Sequence, residues 1–240
     1  PATMAFNNAS GLGNTQGFTK AREKAGGKVV AHVTYEPNRP SYRSELQKIL
    51  DAKPDVIVTG SYLPDSTIIL REWFQSGVPV KWIMPGWAAN PDLVKALGNE
   101  VCEGLISVDS VSNEKSASYA HFDAMYKKAT GKPGSTNVYA AMTYDMAIVL
   151  GLAIEAAGPG ATVAQVNAKI REVGNPGGTA VYTFAEGKAL LAKKEKINYE
   201  GASSKLDFDK YGDVTPDFGV YIIEKGELVR RDVVSIPAGV

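Results

Sequence analysis

Five short apolar, β-branched runs dominate the first half of the chain: "ATMAF", "KVVAHVTY", "DVIVTG", "VPVKWIM" and "GLISV", with one amphipathic stretch between each pair of neighbours. A strand that is always followed by one helix returns the chain to the same edge of a sheet. The pattern therefore predicts an α/β fold, a doubly wound parallel sheet with helices on both faces. Among the helices, "SYRSELQKILDAK" carries a serine start signal, and "DSTIILREWFQSG" begins on Asp65 and stops on Gly77.

From about Ser112 the periodicity becomes helical in "NEKSASYAHFDAMYKKATG", "YAAMTYDMAIVLGLAIEAAG", "TVAQVNAKIREVG" and "FAEGKALLAKKEK". The tail "SKLDFDKYGDVTPDFGVYIIEKGELVRRDVVSI" returns to strand alternation, with turns at "KYGD" and "EKGE". With 240 residues, 44% of them hydrophobic, the chain can bury a sizeable core in one large or two small domains. Its longest apolar stretch, "MAIVLGLAI" between Asp145 and Glu155, is well short of the roughly 20 residues of a membrane helix. We expect a buried helix there and no membrane insertion.

Charge and cysteine usage exclude further classes. Twenty-six basic side chains offset twenty-six acidic ones, so no net field draws the chain to nucleic acid or an anionic membrane. Cys102 is the only cysteine, which rules out an internal disulfide or a thiolate metal cluster and predicts an inert buried thiol. Neither His32 nor His121 sits in a metal-binding spacing, and no G-x-S-x-G elbow is present. "DFDKYGD", Asp207 to Asp213, lacks the alternating third ligand and terminal glutamate of a calcium loop. It reads as a turn between strands. "NAS" at Asn8 to Ser10 matches a glycosylation acceptor by triplet alone.

The stretch "FNNASGLGNTQGF" places Gly11, Gly13 and Gly17 near the spacing of a dinucleotide loop. Asn7, Asn8, Ala9 and Ser10 intervene between strand and first glycine, where that loop turns almost at once. Glu36 is the one acid placed to meet a ribose. Two other readings suit the glycines better: a tight strand-to-helix turn, or a polar loop forming one wall of a ligand crevice. Ser10, Tyr62 in "GSYLPD" and Trp87 in "MPGWAAN" all follow expected strands. Parallel strands deliver such loops to one edge, so these three are expected to share a ligand-binding rim.

The succession "GFTKAREKAGGKVVAHVTYEPNRPSYRSELQKILDAKPDVIVTGSYLPDSTIILREWFQSGV" resembles the second lobe of the type I periplasmic solute-binding proteins of ABC transporters, the branch with the leucine/isoleucine/valine-binding proteins. The likeness continues through "GNEVCEGLISV", "YAAMTYDMAIVLGLAIEAAG" and "INYEGASSKLDFDKYGDV". It implies a two-lobed clamp that closes on a small solute and hands it to an ABC permease, with no catalysis and no cofactor. It also implies a periplasmic or extracellular, envelope-associated location, and a first lobe of about 100 to 150 residues ahead of Pro1. On this resemblance residues 1–111 form the second-lobe α/β domain, 112–135 a helix that completes it and crosses, and 136–240 helices and a β tail that pack partly on the first lobe. The helix over 139–158 then needs that lobe, or another chain, to cover its apolar face.

Position by position, the resemblance makes Tyr62 a ligand-facing tyrosine and puts Ser10 where an aromatic often lines the pocket. Trp87 stands where the leucine-binding relatives have an acid that pairs with the ligand's ammonium group. Asn137 and Tyr139, at the second crossing, and Tyr42, before a helix, are further candidate contacts. Residues that grip a ligand carboxylate belong to the first lobe. The competing functions are a nucleotide-dependent α/β enzyme using Gly11 to Gly17, and a ligand-sensing regulatory domain of the same fold.

Overall fold

The computed structural model describes residues 1–235; Ile236, the last residue of the expected β tail, lies outside them. The described residues divide into two compact units, Pro1–Asp109 with Gly219–Val233, and Ser110–Phe218.

The first unit carries the expected alternation. Strands β1 (Ala2–Phe6), β2 (His32–Tyr35), β3 (Val56–Gly60), β4 (Lys81–Pro85) and β5 (Ile106–Val111) alternate with helices α1 (Ala9–Lys24), α2 (Arg43–Asp51), α3 (Leu63–Ser76), α4 (Pro91–Leu97) and the short α5 (Asn99–Cys102). The sheet order is β2-β1-β3-β4-β5, parallel in β2-β1, β1-β3, β3-β4 and β4-β5, and extended by β8 (Asp217–Glu224) and β9 (Glu227–Val234) beside β5. The β tail, expected in part to sit on a first lobe, thus joins this sheet. Its hairpin turns at Lys225 and Gly226, both at positive φ (53° and 85°), the geometry that matches strand twist in a two-residue turn.

Helix boundaries differ locally from expectation for identifiable reasons. The glycine stretch is no loop: α1 starts two residues after β1, capped by the Asn8 side chain, which accepts from Gly11 N at 2.7 Å. Gly11, Gly13 and Gly17 therefore lie inside a helix. Gly11 is needed for packing, since a Cβ there would stand 2.7 Å from Gly60 O, and one on Gly60 would stand 2.8 Å from Gly11 Cα. Helix α3 begins at Leu63, not Asp65, because Pro64 suits its first turn. Gly77 ends it in the left-handed region at φ 68°, as expected.

The second unit holds α6 (Ala117–Thr130), a 3₁₀ turn (Gly134–Thr136), α7 (Val138–Ala157), α8 (Val163–Gly174), β6 (Thr179–Val181), α9 (Phe184–Leu191) and β7 (Ile197–Tyr199). The pair β6-β7 is parallel and was not foreseen; three residues per strand are too few to show alternation. "KYGD" does turn, with Asp209 Oδ1 accepting from the backbone of Tyr211, Gly212 and Asp213. Residues 205–216 carry no strand, however, so the turn does not join two strands.

Helix α7 is covered on one face only, where its apolar stretch alone suggested a buried helix and the resemblance an apolar face in need of a partner. It has 20 residues and is, among those described, the one helix long and apolar enough by length and composition to cross a membrane. One face packs with Val149, Leu152 and Ala153 buried against α8 and α9 residues. The other is not buried: Met146, Leu150 and Ile154, four residues apart, are 70%, 50% and 50% exposed. On the packed side, the carboxylate of buried Asp145 accepts from Tyr199 Oη (2.8 Å), Ala202 N (2.9 Å), Ser203 N (2.6 Å) and Ser203 Oγ (2.6 Å). It fixes the loop after β7 to α7.

Two substitutions test this packing by urea unfolding. Gly60→Ala forces α1 away from β3 and lowers stability by about 1–3 kcal/mol, the usual cost of overpacking. Asp145→Ala strands four donors at once and costs about 3–5 kcal/mol.

Candidate functional site

The carboxyl ends of β1, β3 and β4 are joined by side-chain bonds around one short turn, Gly60–Ser61–Tyr62. Trp87, after β4, donates its indole Nε1 to Ser61 O at 3.0 Å. Asn8, after β1, donates its amide to Tyr62 Oη at 3.3 Å. Phe6, the last residue of β1, meets the Tyr62 ring edge-on at 5.1 Å and the Tyr35 ring at 5.9 Å. Tyr62 and Trp87 are half-buried, and Ser10 is exposed in the first turn of α1, two residues after Asn8. Ser10, Tyr62 and Trp87 therefore sit on neighbouring segments at one sheet edge.

Chemistry at this edge follows from which polar atoms are already used. The Trp87 N–H is spent on the backbone, and its half-buried ring packs in part against the core of this unit. Tyr62 accepts from Asn8 and keeps its own O–H to donate. Beneath them lies a buried hydroxyl chain, Ser66 Oγ to Ser61 Oγ (2.8 Å) to Thr59 Oγ1 (2.9 Å).

Tyr42 has a different place from the one expected. It is fully buried, packs edge-on against Tyr35 at 4.9 Å and donates its hydroxyl to Asp65 Oδ1 at 2.6 Å. Its backbone N–H goes to Glu72 Oε2 at 2.8 Å. A residue so committed braces the segment after β2 against α3. Burial, then the bond to Asp65, pushes its pKa up to about 12. Tyr35 is likewise buried, and burial followed by the nearby Asp65 charge drives its pKa far above the ordinary tyrosine value.

Asn137 and Tyr139 belong to the second unit. Asn137 caps α7, its Oδ1 accepting from Tyr139 N at 3.1 Å, and Tyr139 is exposed. The edge also contains residues that sequence reasoning passed over: Asn8, Ser61, Asp65 and Asp109. Gly86 has no side chain, and Asp109 fills that space; a Cβ on Gly86 would stand 2.5 Å from Asp109 Cγ. Asn8 was visible only as a glycosylation triplet, yet its amide is used for capping and for Tyr62. Cys102 is buried, and burial raises its thiol pKa to about 11. Among the described residues no group of three or more His, Cys, Asp or Glu is placed to hold a metal.

Comparison with known proteins gives the following. A family model described as "periplasmic binding protein" matches residues 2–193. No curated protein sequence matches significantly. Among solved structures, a leucine-binding protein from Thermotoga maritima superposes with a TM-score of 0.76 at 22% identity, covering 98% of this chain and 60% of that one. A Rhodopseudomonas palustris solute-binding protein in complex with benzoate gives 0.66 at 18%, covering 98% and 58%. The branched-chain amino acid binding protein of Streptococcus pneumoniae in complex with isoleucine gives 0.61 at 18%, covering 98% and 60%. The chain thus spans about 60% of the length of the structures it is similar to.

Removing the Tyr42 hydroxyl with Tyr42→Phe leaves Asp65 Oδ1 without that donor, and urea unfolding is expected to show a loss of about 1–3 kcal/mol. Cys102, protonated well above the assay pH, is expected to resist a disulfide reagent at about pH 8 in the native state and to react at once after unfolding.

Proposed function

Because the chain belongs to the periplasmic binding protein family, which matches it over residues 2–193, we propose that it forms one wall of a solute-binding protein that feeds an ABC importer. One observation carries this reading. The three segments after β1, β3 and β4 are bonded to one another at a single edge, by Trp87 to Ser61 and Asn8 to Tyr62, and present aromatic surface there. The carboxyl edge of a parallel sheet is where such folds take ligands. The wall binds and does not catalyse, and it works in the periplasm or outside the cell.

Ser10, Tyr62 and Trp87 are the contacts of this wall. The solute has an apolar or aromatic body. An α-amino acid held as in the leucine-binding proteins would place its ammonium beside Trp87, and leaving that charge unpaired costs several kcal/mol against about 0.5–2 returned by the indole face. Either the solute is an aromatic or apolar carboxylate, or its amine is held elsewhere in the wall.

The opposing wall is a first lobe, present in the same protein or supplied by another chain, and the same partner covers α7. Residues 112–135 serve as the crossing. The stripe of Met146, Leu150 and Ile154 is what an interface core looks like before its partner arrives.

The binding test uses the chain itself with benzoate and isoleucine as probes, followed by backbone and indole NMR shifts. A single wall buries little of a ligand, so affinities near millimolar are expected, with Ser10, Tyr62 and Trp87 shifting together. Shifts confined to other faces would overturn the reading. The partner test is sedimentation: the chain is expected to self-associate with rising concentration, and Leu150→Glu to abolish this without lowering its melting temperature. A wild type that remains monomeric throughout would count against a covered stripe.

A further inference from the structure

We propose that Asn8 is a positioning residue which fixes the Tyr62 hydroxyl as a hydrogen-bond donor, so that the solute presents a carbonyl or carboxylate oxygen to this wall; this deepens the crevice reading above and rests on it. The helix that Asn8 caps settles the orientation of its amide. Gly11 N, on the third residue of α1, can only donate, and it bonds to one end of the amide at 2.7 Å. That end is the oxygen. The other end is the NH2 group, which has donors and no acceptor. It stands 3.3 Å from Tyr62 Oη, so the phenol oxygen accepts and its proton is directed away from Asn8. A backbone donor in α1 thus decides the polarity of a hydroxyl that follows β3.

Both ends of this relay are held. The Asn8 backbone donates its N–H to Phe6 O at 2.8 Å and accepts from Leu12 N at 3.0 Å. Tyr62 is the N-cap residue of α3, its carbonyl accepting from Ser66 N at 2.9 Å, and its ring meets Phe6 edge-on at 5.1 Å. Asn8 and Tyr62 are half-buried, which shields their bond in part from competing water. Among the described residues the Asn8 amide is the one hydrogen-bond partner of this hydroxyl. Asp and Ser cap helices about as well as Asn, but only the amide accepts with one atom and donates with another. An aspartate here would cap with one oxygen and take the Tyr62 proton with the other. With Asn8 in place, a solute oxygen completes the hydroxyl, and a group that only donates leaves its proton without an acceptor.

The test uses the 240-residue chain and three neutral aromatic probes: acetophenone, whose oxygen only accepts, indole, whose N–H only donates, and ethylbenzene, which does neither. Dissociation constants are read from NMR shifts of the Tyr62 ring and the Trp87 indole N–H. Asn8→Asp keeps the cap and turns the Tyr62 proton inward. Acetophenone is then expected to bind about three- to tenfold more weakly and indole to tighten by a similar factor, with ethylbenzene unchanged. Asn8→Ser keeps the cap with a side chain too short to reach Tyr62, and should place both probes between these extremes. In Tyr62→Phe the preference for acetophenone is expected to vanish, and adding Asn8→Asp to that variant to change no probe. A role in capping alone would move all three probes together, and that result, or an acetophenone-to-indole ratio unchanged in Asn8→Asp, would overturn the inference and leave the crevice standing. If no probe moves Ser10, Tyr62 or Trp87 in the wild type, the crevice reading itself falls and takes this inference with it.

Discussion

Everything at the candidate rim depends on the close approach of Gly11 to Gly60. Backbone meets backbone there, with space for no side chain on either partner. That contact seats the first turn of α1 on the end of β3, which brings the Asn8 cap within reach of Tyr62. From the β3 end the turn 60–62 then takes a second tie, from Trp87. A larger residue at either glycine would lift α1 and separate Asn8 from Tyr62, even though neither glycine touches the rim.

Below the turn a third tie runs through α3. Its first-turn Asp65 receives the Tyr42 hydroxyl, while Glu72, two turns further on, receives Tyr42 N and pairs with Arg43 at 3.5 Å. Two acids of α3 thus hold the start of the preceding helix, α2, which has no side-chain cap of its own. Buried carboxylates are costly without donors, so Asp65 constrains Tyr42 as much as Tyr42 satisfies Asp65. The segments after β1, β2, β3 and β4 are consequently coupled through residues 61 to 72, so the edge is held in place by its own internal bonds.

The alternation of strands and helices was legible because each β-branched run is bounded by turn residues and each helix by a cap, as at Gly77 and Gly131. Two kinds of feature were not. One is the three-residue pair β6-β7, held by parallel pairing between residues far apart in sequence. The other is any role defined by a long-range partner. Gly11 looks like part of a loop until Gly60 is placed beside it, and Asn8 looks like a glycosylation triplet until Gly11 N and Tyr62 are. Tyr42 resembled a rim residue by its position before a helix, and only the Asp65 bond and its burial return it to the core. Helix α7 was read as buried from its apolar content, but apolar content gives the sum over both faces. Its Val149, Leu152 and Ala153 are covered and its Met146, Leu150 and Ile154 are not, a division that depends on what packs where.

Trp87 shows how far identity at one position can mislead about chemistry. Taken alone, an indole at this edge reads as aromatic surface. The indole nitrogen, however, is used internally, to hold the loop after β4 against Ser61. The tryptophan thus acts first as a brace and only second as a surface. A brace at 87 needs the preceding backbone to pass close to β5, which Gly86 permits, and the same permission lets the Asp109 carboxyl group fill the vacated space.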